Sequence, residues 1–394
     1  MTAGGATSGR GQAVLHLADY GGPYPGNFIA SLRALRPELS RRGLEPVLAF
    51  SHVAQGRRWL EDLRADGFEV HVLPRGTARA LRAAMRLVRA RRVAVLHTHF
   101  TTFDLAAWLL QQYGRLLGRP PALFWHVHSP TEFEPGPLRT LKDRVKWRLL
   151  GRTASTVVVS EGGYRVMLGR GVLGGRSRAV PNGVDTRRLA VPAGERARCR
   201  RELGVADGER LCVLFGWAPE RKGVDLAIAA VRGLVEEDHL PVKLLLVGDA
   251  PTRALAERCC PAGLPAWVLV APPLDSVGTY LAASDLFVSA SRAEGFSYAV
   301  TEALAFGRLV ATTDIPGMEW ARAMPAAVFC SPEDPGDLRR AMRLALSWLG
   351  EDCASRFAAS RGLVEAHYSV EAWARQVVGY YGERLGRTAQ RTAR

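Results

Sequence analysis

The sequence predicts an α/β protein made of two doubly wound parallel-sheet domains, and three observations carry that prediction. Short apolar runs alternate with amphipathic helical patterns along the chain, the alternation restarts near residue 211, and the stretch between the two series loses its strand signal. Strand–helix alternation favours parallel strands with helices on both faces of the sheet. A chain of 394 residues is long enough for two or three domains.

In chain order, residues 1–12 form a Gly/Ser/Thr-rich tail, and the apolar run 13–18 is too short for the apolar segment of a signal peptide. It reads instead as the first strand. Further strands are expected at 46–50, 69–73, 94–98, 122–127 and 156–160, with amphipathic helices such as 28–42 and 79–91 between them. Residues 186–210, rich in Arg, Pro, Gly and Ala, read as the linker. The second series has strands at 211–216, 243–248, 267–270, 286–290 and 309–312, and helices at 224–235, 278–283 and 297–306. Residues 368–385 place Val370, Trp373, Val377, Val378 and Tyr381 at helical spacing, the stripe of a long helix that packs on a core.

A net charge of +15 favours anionic partners. Only four of the 53 basic residues are lysine, so much of the excess reads as an arginine-rich coding bias. The six cysteines lack CxxC or zinc-ligand spacing, which suits reduced thiols in a cytoplasmic protein. No stretch approaches the ~20 apolar residues that span a bilayer, and no nucleic-acid-binding module is recognisable.

The sharpest chemistry lies in Ser291-Arg292-Ala293-Glu294-Gly295-Phe296-Ser297, which opens the helix that carries Glu302. Ser297 can cap that helix, and its first amide groups can hold a phosphate. Eight helical residues span ~12 Å, more than the ~5–9.5 Å between the paired carboxyl groups of a glycosidase. Glu294 and Glu302 therefore read as grips on two ends of one long ligand, and a nucleotide sugar has that layout. A second element, Phe215-Gly216-Trp217-Ala218-Pro219-Glu220-Arg221-Lys222-Gly223, sets Arg221 and Lys222 after a strand end. Cations there can neutralise a leaving diphosphate. A third is the Asn-Gly turn in Pro181-Asn182-Gly183-Val184-Asp185.

Taken together and in order, these segments resemble the retaining glycosyltransferases of the GT-B fold, family 4 (group 1). The match also takes in the loop 19–27, His97-Thr98-His99, Trp125-His126-Val127-His128 and Leu245-Leu246-Val247-Gly248-Asp249. The resemblance implies two facing Rossmann-like domains: an acceptor-binding one, 1–185 with 368–394, and a nucleotide-sugar-binding one, 186–367. It implies that Glu294 contacts the transferred sugar, with Gly295, Phe296 and Ser297 beside it, that Glu302 holds the ribose, and that Lys222 pairs with the diphosphate. Gly26 would let the backbone approach the phosphates, and His126 would be the active-site histidine. His99 and His128 are candidates for acceptor or sugar contacts. Trp217 stands where the family usually has arginine, and Arg221 is the candidate to replace that charge.

The implied reaction is metal-independent sugar transfer from a nucleoside-diphosphate sugar to a hydroxyl acceptor, in polysaccharide biosynthesis, with no cofactor. Acceptor choice would rest on loops such as 21–26 and 129–137. Two basic amphipathic stretches, 75–92 and 138–152 (the latter with Lys142 and Lys146), suit peripheral contact with an anionic membrane face. Two other readings stay open, a nucleotide-sugar epimerase on the same fold and a non-catalytic sugar-nucleotide or membrane-surface binder.

Overall fold

The computed structural model describes residues 11–129, 137–274, 276–350 and 353–392, without the side chains of 137–142 and 387–392. The tail 1–10, most of the loop 129–137 and the side chain of Lys142 lie outside the described residues.

The first sheet comprises β1 (Gln12–Ala18), β2 (Leu44–Phe50), β3 (Glu69–Val72), β4 (Val93–His99), β5 (Ala122–Val127), β6 (Ala154–Val158) and β7 (Ser177–Ala179). Between them run α1 (Gly26–Ser40), α2 (Arg58–Ala65), α3 (Thr77–Ala90), α4 (Asp104–Leu116), α5 (Pro137–Leu149) and α6 (Glu161–Gly169). After α7 (Glu195–Glu202), the second sheet has β8 (Arg210–Phe215), β9 (Val242–Val247), β10 (Val268–Ala271), β11 (Leu286–Ser289), β12 (Leu309–Thr313) and β13 (Ala327–Cys330). Its helices are α8 (Val224–Glu236), α9 (Ala250–Cys259), α10 (Gly278–Ala283), α11 (Tyr298–Phe306), α12 (Pro335–Ser347) and α13 (Cys353–His367), and α14 (Val370–Thr392) follows.

All strand pairs are parallel, in the orders β3-β2-β1-β4-β5-β6-β7 and β10-β9-β8-β11-β12-β13. Each order reverses once, between β1 and β4 and between β8 and β11. In open α/β sheets ligands settle outside the carboxyl ends of the strands at such reversals. Apolar side chains fill both faces of each sheet, which is why the strands read as nearly continuous apolar runs.

The stretch 186–210, expected as the linker, contains α7, which is bound to the second sheet. Arg196 Nη2 donates to Asp285 Oδ1 (2.5 Å) and Arg200 Nη1 to Asp285 Oδ2 (3.1 Å), while Cys199 packs beside Leu211 and Val213. Its sequence, Glu-Arg-Ala-Arg-Cys-Arg-Arg-Glu, is nearly all charged, so no apolar stripe advertised the helix.

The chain passes between the domains twice, and the two passages lie side by side. Val184 N donates to Tyr368 O (2.8 Å) and Val370 N to Val184 O (3.1 Å). A Cβ on Gly183 would sit 2.5 Å from Ser369 O, which accounts for glycine in the Asn-Gly turn. Beyond this point α14 lies on the first domain, where Trp373, Val377 and Tyr381 join Ile29, Leu32 and Leu35 of α1 in one buried cluster. Among the described residues no helix is long and apolar enough to cross a membrane.

Candidate active site

A cleft of about 490 Å³ opens between the carboxyl ends of the two sheets. The first domain lines it with Tyr20, Gly26, Asn27, Phe28, Phe100 and His128, and the second with Trp217, Arg221, Glu294, Gly295, Phe296 and Glu302. Both glutamates thus face one cavity, as two ends of a single ligand require.

The second domain's wall is built where β8 and β11 diverge. β11 ends in a loop whose Ser297 caps α11, accepting from Val300 N (3.4 Å), so Glu294 is held before the helix and Glu302 in its second turn. Glu294 is buried: Lys222 Nζ donates to its Oε1 at 2.5 Å and Ser291 Oγ to the same atom at 2.8 Å. Arg221 Nη1 lies 3.5 Å from the other oxygen. The turn that carries both cations can dock this closely because of Gly223, whose φ is 66° and where a Cβ would fall 2.0 Å from Ala290 O. Arg292 adds a bidentate clamp to Asp225 (2.9 and 2.8 Å), which pins the basic turn to the acidic loop. Trp217 is 63% exposed and lies flat under the cations, with Arg221 4.6 Å and Lys222 5.4 Å from its ring centre.

Gly26 opens α1 with φ of 56°, and the first amide groups of that helix have no partner within it. Asn27 follows and bridges the domains. Its Nδ2 donates to Glu302 Oε1 (2.8 Å), and its Oδ1 accepts from Asp185 N (3.1 Å) and Arg188 Nη1 (3.4 Å). Burial pushes the Glu302 carboxyl above the usual carboxylate range, partly opposed by Asn27 and Arg188.

Five histidines occupy the face of the first sheet beneath α1 and α14. Their order corrects one expectation: His126, expected beside the reacting sugar, is fully buried behind Trp373 and leaves the cleft wall to His128. Side chains alternate faces along a strand, so residues 126 and 128 share a side. Only the latter lies beyond the end of β5, where the cleft begins. His99, a candidate acceptor contact, is also buried, and it connects the pocket to the interior. His16 Nδ1 and His99 Nε2 are 3.1 Å apart, and His99 Nδ1 and His128 Nε2 are 3.2 Å apart. His16 Nε2 has no partner, and an orphaned lone pair is tolerated better than an orphaned N–H. The protons therefore run one way: His16 donates to His99, His99 donates to His128, and His128 keeps its Nδ1–H. Burial holds the rings neutral, pushing His16 and His128 down to about 3. In His97, His99 and His126 neighbouring imidazoles add to the effect of burial.

Of the expected site residues, Gly26, Arg221, Glu294, Gly295, Phe296, Glu302 and His128 line the cleft. Lys222 lies behind Glu294, and Ser297 serves as the cap. Asn27, Arg188, Tyr20 and Phe100 were not singled out in the sequence. Asn27 stands in the glycine-rich loop beside Gly26, and only the fold reveals that it reaches a residue 275 positions away.

Two family models match the chain, glycosyl transferases group 1 over residues 209–347 and glycosyltransferase family 4 over 30–188. A lipopolysaccharide core biosynthesis mannosyltransferase of Rhizobium meliloti is 26% identical over 304 residues, which cover 69% of this chain and 82% of that protein. A D-inositol 3-phosphate glycosyltransferase of Nocardia farcinica is 28% identical over 241 residues, covering 54% and 50%. In fold, the chain is similar to a glycosyltransferase from Rickettsia africae, with TM-score 0.79, 15% identity, and 95% and 98% of the two chains covered. It is also similar to Anabaena HepE in complex with UDP, with TM-score 0.78, 16% identity, and 94% and 100% covered. The two sheets, the facing switch points and both matched halves agree: the chain is a glycosyltransferase of the GT-B fold and belongs to glycosyltransferase family 4 (group 1).

Proposed function

We propose that the protein transfers a sugar from a nucleoside-diphosphate sugar to an acceptor hydroxyl with retention of anomeric configuration. The observation that carries this reading is the single cleft walled by both Glu294 and Glu302, with Arg221 and the first turn of α1 also on its walls. In this reading Glu302 accepts from the ribose hydroxyls, Glu294 from hydroxyls of the transferred sugar, and Arg221 meets the diphosphate. Lys222 holds Glu294 in place from behind. The structural neighbour from Anabaena has been solved with UDP and with UDP-glucose, which supports a donor of this class.

The chemistry asks for positioning and charge more than for a nucleophile. As the bond from the anomeric carbon to the diphosphate breaks, the departing oxygen takes the acceptor proton on the same face while the new bond forms. The N–H groups and cations of the cleft stabilise the charge that develops. His128, its Nδ1–H set by the chain of hydrogen bonds that runs from His16 through His99, donates to the sugar or the acceptor. In this reading Arg221 and helix amides meet the diphosphate's charge without a cofactor or a metal. The protein works in the cytoplasm, with the basic face of α3 suited to an anionic membrane.

A thermal-shift screen against nucleoside diphosphates and their sugars tests the reading, since a ligand that binds the folded state raises its melting point. One nucleotide series should stabilise the protein, and the product's anomeric proton should report retained configuration. Donor turnover to an epimerised or free sugar without acceptor would replace the transfer reading.

A further inference from the structure

Of the five histidines on the first sheet, His97 and His126 take no part in the hydrogen-bonded chain from His16 to His128. Neither ring nitrogen of His126 has a hydrogen-bond partner among the described residues, although the residue is 1% exposed. A neutral imidazole carries one N–H and one lone pair, so His126 keeps a buried lone pair with nothing to accept from.

The strands explain how three of these rings meet. His126, near the end of β5, and His128, just beyond it, are two residues apart and share a side of the sheet. Their rings stack with centres 4.1 Å apart. β4 pairs in parallel with β5, and the register sets His99 directly opposite His126. One nitrogen from each of His99, His126 and His128 lies within 4.8 Å of the other two. The facing pair, His99 Nδ1 and His128 Nε2 at 3.2 Å, already stands close to the ~3.3 Å edge of a tetrahedron whose metal–nitrogen bonds are ~2.0–2.1 Å. The group is made of imidazole alone, and burial keeps all three rings unprotonated, the state in which they can bind a metal.

From this geometry we propose that His99, His126 and His128 form a binding site for one divalent transition-metal ion, of the kind that zinc and cobalt represent. Imidazole suits such ions, whereas magnesium takes oxygen ligands. Three protein ligands leave a fourth position open. His128, the one of the three that lines the cleft, gives the ion its way in. The ion takes the place of the proton between His99 and His128. His99 then carries its proton on Nε2 and donates it to His16 Nδ1, 3.1 Å away, the outer hydrogen bond that orients a metal-bound imidazole. His16 moves its own proton from Nδ1 to Nε2, so both rings stay neutral. Phe28, Phe100 and Trp373 pack against the rings and give the site an apolar wall. The site needs only residues of the first domain and stands whether or not the chain transfers a sugar.

The test is titration of the full chain, first stripped of metal by a chelator, with Co²⁺ while the visible spectrum is followed. A single equivalent should bind saturably and give the strong bands of four-coordinate cobalt. Zn²⁺ should erase those bands and raise the melting temperature by mass action, and Mg²⁺ should do neither. His128→Ala, at the cleft wall, and His126→Phe, in the core, should each weaken Co²⁺ binding by about a hundredfold or more. His71→Gln, on β3 and outside the group, should leave it unchanged. If His126→Phe does not fold, His128→Ala decides. Only the weak spectrum of six-coordinate cobalt, bands that survive His128→Ala, or the near-ultraviolet absorption of a cobalt–thiolate bond, which places the ion on cysteine, overturns the proposal.

Discussion

The pair Lys222–Glu294 offers a quantitative test of how the donor wall is built. The two side chains are 9% and 5% exposed and 2.5 Å apart, so solvent screens little of their interaction. Removing one member of a buried ion pair costs about 3–5 kcal/mol where the other charge is left uncompensated, and Arg221, 3.5 Å from the far oxygen of Glu294, puts the loss of Lys222 at the lower end of that range. Lys222→Met should therefore destabilise the second domain by an amount near that lower end. For a domain of this size the whole range corresponds to a fall in melting temperature on the order of 6–20 °C. Glu294→Gln keeps the shape but not the charge and should fall in the same range. The double variant removes both charges and should recover most of the loss, since a buried pair replaced as a unit is often neutral. Differential scanning calorimetry at pH 7 on the four proteins measures the coupling directly. Additive losses, or a Lys222→Met protein that melts within a degree of wild type, would refute the assignment of Lys222 as the group that holds Glu294.

Four further outcomes are expected. Because burial raises the Glu302 carboxyl, the folded state binds its proton more tightly than the unfolded state, and this group's contribution to stability is lost as pH rises from the usual carboxylate range through the raised value. Glu302→Gln should flatten that decline, melt above wild type at pH 7 to 8, and bind nucleoside diphosphate at least tenfold more weakly, as thermal scans and titration will show. Gly223→Ala should destabilise the protein by more than ~2 kcal/mol, because the new Cβ meets Ala290 O; denaturant titration measures it. Arg221→Ala should weaken nucleoside-diphosphate binding by about tenfold, the loss of one charge-assisted contact, and Trp217→Arg in that background should restore it. Finally, His99→Leu leaves His128 unsupported and should lower kcat/KM by about tenfold while the affinity for nucleoside diphosphate holds, in steady-state assays beside calorimetry.

The fold was legible because both sheets are fully covered, so each central strand announced itself as an apolar run. Strand β13 was not expected, and β7, three residues long at a sheet edge, showed only as the strand-like pair Ala179-Val180 before the Asn-Gly turn. Helix α7 escaped because nearly all of its residues are charged and leave no apolar stripe. At the site, Glu294 and Glu302 stood in one contiguous motif and Arg221 in another, and it was the family resemblance of the ordered set, more than spacing, that set them around one ligand. The histidines were harder. Residues 126 and 128 are equivalent in pattern, and only the end of β5 decides which one meets the cleft. Asn27 carried no local signal, since its partners Glu302 and Asp185 come from the other domain and the crossing segment.

The return of α14 to α1 has a consequence for how the molecule is made. The first sheet is complete at Ala179, yet the helix that covers one of its faces begins at Val370, roughly 190 residues later. At about 5–20 residues per second, a ribosome takes roughly 10–40 s over that interval. For that time the apolar surface of α1 and the strands below it waits uncovered, while the second domain is free to fold in full. Any exchange of halves between relatives must therefore carry the terminal helix with the amino-terminal half, or leave the nascent product open to aggregation.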